Sequence, residues 1–182
     1  MSSHILMLLL IPIVFMAIVL FLKGKQAGYT ALVGSVLTLT VSIILTFHYH
    51  NQDWVVEDFN HSWIPSFGIN LHFGIDGISL ILVLLTTLLT PIIIFSSLQS
   101  EKQNSNILYS LILLMQAGML GAFLAKDAFL FYVCYEVALI PIYFICGMWG
   151  GENRIAVTLK FFIYTLAGSL FMLVAIIYLY LQ

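Results

Sequence analysis

Charge is what this sequence lacks most. Six Lys or Arg and eight Asp or Glu occur among 182 residues, where a soluble domain places roughly a quarter of its residues in charge. That scarcity excludes an ordinary water-soluble globule. Cysteine is nearly absent too, with only Cys134 and Cys146. They lie twelve residues apart in one apolar run, a rise of about 18 Å along a helix, so they cannot bridge each other there. Both are expected to be small apolar core residues. There is no cysteine cluster for iron–sulfur ligation and no glycine fingerprint for a dinucleotide. The chain is therefore expected to carry no redox centre and no cofactor of its own, and no nucleic-acid partner is expected.

What is present is hydrophobicity, at 62% of residues. Apolar runs of about 20 residues, long enough to cross a bilayer, recur with short polar breaks. Six are read: 5–22, 27–47, 78–98, 107–125, 128–147 and 155–181. A cleavable signal would give one short apolar region before a soluble chain, so the first run is read as a retained helix. The expectation is an all-α polytopic membrane protein forming one membrane domain over 1–182. Orientation follows from the basic residues near the spans. Lys23, Lys25, Lys102, Arg154 and Lys160 fall on one side and Lys126 alone on the other. Both ends of the segment are thus expected outside, with the breaks KGK, EKQNSN and WGGENR facing the cytoplasm or matrix.

The one sizeable polar piece, 48–76, is expected on the outer side. Ile69, Leu71, Phe73 and Ile75 alternate with polar residues or glycine, the period of two of a half-buried strand. Trp54, Val55 and Val56 offer an earlier strand and Pro65 to Gly68 a turn, which makes a small outer β-hairpin needing a neighbour for stability. Asp76 is placed to cap the third span. His48, His50, His61 and His72 fall in or beside this loop. HxH without cysteine is a weak metal signal, so solvated or interface histidines are preferred and no metal site is assigned.

Pro12, Pro91 and Pro141 lie inside apolar runs. Membrane helices tolerate this when hydroxyls, neighbours or water satisfy the freed carbonyl, a task suited to Thr86, Thr87 and Thr90 before Pro91. Gly118, Gly121, Ala122 and Ala125 form a small-residue face on the fourth span for close helix contact.

The fifth span holds one carboxylate. Glu136 is nine residues from Asp127 and eleven from Gly147, so it lies roughly 14 Å and 16 Å from the two ends of an ideal helix. An acid at that depth costs on the order of 3 kcal/mol, so it should face protein or a wet cavity. A carboxyl there that can hold or release a proton is what a relay requires. Tyr132 and Tyr143 share its helical face and offer a hydrogen-bond chain. Pro141 removes the amide that would bond the carbonyl of Val137, leaving an acceptor for water beside the acid. Lys160 stands about one turn into the sixth span, where it can snorkel or join a relay bridged through water or Tyr164.

The stretch "FYVCYEVALIPIYFICGMWGGENR" with "TLKFFIYTLAGSLFML" resembles the fifth and sixth helices of the antiporter-like subunit M (chain 4) of proton-pumping NADH:quinone oxidoreductase, respiratory complex I. "FGIDGISL" resembles the start of its third helix, and the resemblance covers the whole chain. Tyr135 departs from the tryptophan the family often has before the glutamate. The resemblance implies that Glu136 is the essential glutamate of a proton pathway and that its partner is a lysine in a seventh helix. It implies that the outer hairpin links neighbouring antiporter-like subunits. It further implies the first part of a subunit of roughly fourteen helices built on an inverted repeat. The implied function is proton translocation coupled to electron transfer from NADH to quinone. NADH, flavin, iron–sulfur clusters and quinone would then sit in other subunits, and the partners would be adjacent membrane-arm subunits and the lipid bilayer. A bacterial inner membrane is expected ahead of the mitochondrial one. The alternatives are a subunit of a multisubunit cation/proton antiporter or of a membrane-bound hydrogenase, or a purely structural membrane scaffold.

Overall fold

Six apolar segments folding in hydrocarbon must satisfy their backbone groups within themselves, which favours helices. The computed structural model describes residues 3–51, 58–65, 68–99 and 104–181. It contains α1 (Ser3–Phe21), α2 (Lys25–Asn51), α3 (Gly77–Leu98), α4 (Ser105–Leu124), α5 (Ala128–Trp149) and α6 (Arg154–Tyr180). All six are long and apolar enough to cross a membrane. Between α2 and α3 lie two antiparallel strands, β1 (Asp58–Ile64) and β2 (Ile69–Gly74).

The expected spans match the helices to within a few residues. The largest difference is in α2, which continues through His48 to Asn51. Hydropathy marks where the apolar run stops, whereas a helix can extend past the bilayer into water. The first strand is formed by residues 58–64, pairing Phe59 with Phe73 and His61 with Leu71, while Trp54, Val55 and Val56 lie outside the described residues. Pro65 and Gly68 bound the turn as expected. The Gly68 amide donates to the Pro65 carbonyl at 3.2 Å, and Gly68 sits at φ +64°, a conformation that glycine adopts without steric penalty.

Connections between consecutive helices alternate between two ends of the bundle. His4 of α1 lies against His48 of α2, with ring centroids 6.0 Å apart. β2 meets the α4–α5 connection through a bridge between Phe73 and Ala125. The α2–α3 and α4–α5 connections therefore share the hairpin end, as six successive crossings require.

α4 is the central helix. One side of it joins α1, α2 and α3 in two apolar clusters. Leu120 and Leu124 pack with Ile5, Leu8, Leu45 and Val83 near the hairpin end. Leu108, Ile112 and Leu113 pack with Val19, Ala31 and Ile94 towards the other. Its other side is lined with small residues and receives α5 at close range. A Cβ placed on Gly118 would come within 2.8 Å of the Ala138 backbone nitrogen, and one on Gly121 within 2.8 Å of the Cys134 Sγ. The expected small-residue face is thus a helix contact, and Cys134 packs there. Cys146 is instead exposed, lining an open cavity with Ile92 of α3 and Leu108 and Ile112 of α4.

The prolines sit inside α1, α3 and α5 as expected. The threonines before Pro91 work differently from expectation. Thr86, Thr87 and Thr90 donate to the carbonyls of Leu82, Val83 and Thr86, one turn back along their own helix, rather than to the Thr87 carbonyl that Pro91 frees. A Ser or Thr hydroxyl in a helix reaches the carbonyl three or four residues before it most readily.

Because the obstacle at Gly118 is backbone, the helices must separate to admit a side chain. Gly118→Ala is expected to destabilise the α4–α5 contact by about 1–3 kcal/mol, read as a lower thermal midpoint of the purified assembly.

Candidate functional site

α5 begins on a structured platform. The amide of Lys126 donates to the His72 carbonyl of β2 at 2.8 Å, so the α4–α5 connection runs along the hairpin like a short third strand. Asp127 then caps α5, its Oδ1 accepting from the amides of Phe129 at 2.9 Å and Leu130 at 3.1 Å. Its Oδ2 accepts from the Asn70 amide at 3.4 Å, so one carboxylate joins the hairpin to the start of the helix. Asp76 caps α3 in a reciprocal box. Its Oδ1 accepts from the Ser79 amide at 2.7 Å, and the Asp76 amide donates to the Ser79 Oγ at 2.8 Å. The Lys126 Nζ donates to Asp76 Oδ2 at 2.9 Å. Lys126 and Asp127 thereby tie the starts of α3 and α5 together at the hairpin end. The Ser79 amide and then Lys126 hold the Asp76 carboxyl at about 2, below its ordinary 3.8.

The expected cap at Asp76 is present. Asp127 was legible too, since Asp followed by an apolar run is a helix-start signal, but sequence reasoning used it only to measure depth. Lys126 looked like a lone charge on the sparse side. Its partner is fifty residues away in the chain, so no local pattern identifies the pair.

Of the loop histidines, His72 Nε2 lies 3.1 Å from Asp58 Oδ2, His48 is against His4, and His61 is exposed. The side chain of His50 is outside the described residues. Among the described residues no three His, Cys, Asp or Glu converge as metal ligands.

Glu136 stands eight residues into α5, about 12 Å from the hairpin end of the helix. Its Oε1 is buried without a hydrogen-bond partner. The Tyr132 hydroxyl, one turn earlier, lies within reach of the Glu136 carboxylate and of Ser169 on α6. Tyr143 has its ring 4.9 Å from that of Phe162, also on α6. The expected common face of Tyr132, Glu136 and Tyr143 is thus turned to α6. Only Tyr132 approaches the acid, and among the described residues no hydrogen bond links Tyr143 to Glu136. Pro141 is buried in α5 one turn beyond Val137, where the freed carbonyl was expected.

Lys160 and Tyr164 were expected to offer a bridge towards Glu136 on α6. The structure gives that helix two separate stripes. Thr158 and Ser169, each 4% exposed, share with Phe162 and Thr165 the side facing α5. Lys160 is exposed, and so is Tyr164 at 78%. No Tyr164 bridge from Lys160 to Glu136 is made within these six helices. The spacing of 4-3-4 from Thr158 through Phe162 and Thr165 to Ser169 marks the packed stripe.

Six helices long and apolar enough to cross a membrane, with a small antiparallel hairpin between the second and third, define a multi-pass helical membrane protein. Residues 6–126 match the family described as NADH-ubiquinone oxidoreductase chain 4, amino terminus, and residues 125–182 match NADH:quinone oxidoreductase/Mrp antiporter, TM. The chain belongs to the chain 4, or subunit M, family of NADH:quinone oxidoreductases. It is 39% identical over 93% of its length to the F(420)H(2) dehydrogenase subunit M of Methanosarcina mazei, covering 35% of that protein. It is 41% identical over 87% of its length to the NADH-quinone oxidoreductase subunit M of Rickettsia bellii, covering 32%. The fold matches a chain of respiratory complex I from Thermus thermophilus with TM-score 0.81 and 29% identity, over 94% of this chain and 34% of that one. A chain of the Mrp complex from Dietzia matches at TM-score 0.76 and 19% identity, over 96% of this chain and 18% of that one, a likeness of fold. The chain spans about a third of the length of the curated relatives it matches.

Removing the carboxylate in Asp127→Ala takes away both the helix cap and the hairpin contact. A loss of about 1 kcal/mol or more is expected, read as faster hydrogen exchange at Phe129 and Leu130. The lowered Asp76 value gives a pH dependence of known sign. The carboxylate stabilises the fold above pH 3.8 and loses that effect as pH falls towards about 2. The difference in thermal midpoint between the wild type and Asp76→Asn should shrink across that window and remain constant above it.

Proposed function

We propose that this chain forms part of a membrane subunit of an NADH:quinone oxidoreductase and supplies Glu136 as a protonatable group in proton translocation. The observation that carries the reading is the Oε1 of the half-buried Glu136, itself buried at mid-depth and unpartnered, on the face turned to α6 beside Tyr132. An intramembrane acid in that setting is costly unless it exchanges protons or binds water. Oε1 is free to accept from water, and the Tyr132 hydroxyl, between Glu136 and Ser169, can pass a proton or orient that water. Pro141 leaves the Val137 carbonyl as a second acceptor at the same level.

The proposed cycle is electrostatic. A charge change in an adjacent subunit alters the proton occupancy of Glu136, and water then connects the acid alternately to the two sides. A lysine in a further helix is the proposed partner. Lys160 lies on the opposite face of α6 and is assigned to snorkelling rather than to this relay. Electron transfer from NADH to quinone, with its flavin and iron–sulfur centres, is assigned to other subunits. The proposed partners are neighbouring antiporter-like subunits of the membrane arm, and the proposed location is a bacterial inner membrane.

The relative from Methanosarcina is named for a different electron donor. That supports a division in which this type of subunit serves proton transfer whichever donor the rest of the complex accepts.

In the assembled complex, Glu136→Gln should cut NADH-driven proton translocation by about tenfold or more while assembly is retained. Glu136→Asp should recover part of it. An unchanged proton-to-electron ratio in Glu136→Gln would refute the assignment, and normal pumping with weakened assembly would point to a structural acid.

A further inference from the structure

The two apolar clusters around α4 are shared by the same four helices, and between them α2, α3 and α4 change character while α1 stays apolar. On α4, Gln116 separates Leu113 of one cluster from Leu120 of the other. On α3, Thr87 and Thr90 lie between Val83 and Ile94. On α2, Ser35, Thr38 and Ser42 lie between Ala31 and Leu45. All six polar residues are buried, so they form a polar layer crossing the α1–α4 core.

This layer is not the Glu136 site. At about 100° per residue, Gly118 and Gly121, which lie against α5, are turned roughly 200° and 140° from Gln116. The amide therefore points to the side of α4 away from α5. It stands eight residues before the hairpin end of α4, about 12 Å in, the same depth as Glu136.

The layer lacks hydrogen-bond donors. Ser35 and Thr38 donate to the carbonyls of Leu32 and Gly34, and Thr90 to that of Thr86. Ser42 and Thr87 share a hydrogen bond of 2.8 Å, and each also reaches a carbonyl of its own helix. The hydroxyl protons of the layer are engaged, and the helical amides are committed to the backbone ladder. Gln116 is 1% exposed, and neither its Oε1 nor its Nε2 has a partner. The Thr87 carbonyl has lost its amide partner to Pro91. The layer thus has acceptors in excess of donors, and a water molecule supplies two donors.

We propose that Gln116 anchors a water-binding site in the α1–α4 core, sealed from both membrane faces by the two apolar clusters and separate from the Glu136 face. Water held there accepts from the Gln116 amide group and donates to its carbonyl oxygen and to a backbone acceptor of α3. Because apolar side chains close the layer above and below, this water joins no file to either surface. Its role is to fix the register of α4 against α2 and α3 while the opposite side of α4 carries α5.

The test is a structure of the intact, assembled complex at a resolution where buried waters are visible. Ordered density is expected about 3 Å from the Gln116 amide. A resolved Gln116 bonded directly to protein atoms, or one with no such density, overturns the proposal, and this arm does not depend on the transport reading. In Gln116→Leu the density should vanish while proton translocation per assembled complex stays within about twofold. A fall of about tenfold with normal assembly would make the layer part of a conduction path and overturn the sealed site. Gln116→Met, which keeps the length of the side chain, carries the same two outcomes if the leucine variant fails to assemble.

Discussion

Hydrocarbon offers no hydrogen-bond partner, so every polar group that this chain carries into the bilayer must find one inside the bundle or bring water with it. Most of the membrane-embedded hydroxyls meet the requirement locally. Thr38, Thr40, Thr46, Thr86 and Thr165 each donate to the carbonyl four residues back, which hides a polar group against its own helix. Among the described residues, two groups do not meet it. The Glu136 Oε1 and the Gln116 amide are buried without partners, at the same depth but on opposite sides of the α4–α5 contact. One belongs to the face proposed to exchange protons, the other to the core that holds the bundle still.

The position of Glu136 is set from the hairpin end. α5 starts at Asp127, which caps the helix and binds β2. Lys126, bound to β2 through its backbone and to Asp76 through its side chain, ties that start to α3. An isolated two-stranded hairpin is marginal, and here the α4–α5 connection stabilises it. The dependence is mutual, since the hairpin orders the turn from which the acid-bearing helix runs.

α4 mediates between the two halves. Its glycines allow α5 to approach until backbone meets side chain, leaving little freedom for sliding. Its large apolar residues hold α1–α3. α6 packs on this assembly through the stripe of Thr158, Phe162, Thr165 and Ser169, and Ile176 and Ile177 line a cavity with the hairpin and the start of α5, while Lys160 and Tyr164 stand on an exposed face.

The sequence by itself determined the class, the six crossings, the depth of Glu136, the Asp76 cap and the glycine face of α4. Each follows from a local quantity: length of an apolar run, rise per residue, or the residue types at a helix start. Local pattern also carried the second strand, because alternation over Ile69 to Ile75 has a period that no helix shares. Only the tertiary structure decided which neighbour each face meets. It placed Tyr132 beside the acid and within reach of Ser169, turned Tyr164 away, paired Lys126 with Asp76, exposed Cys146, and buried Gln116 without a hydrogen-bond partner. In a chain that is mostly apolar, several faces of a helix look equally ready to pack. The choice among them depends on the shapes and donors of partner helices far away in the sequence.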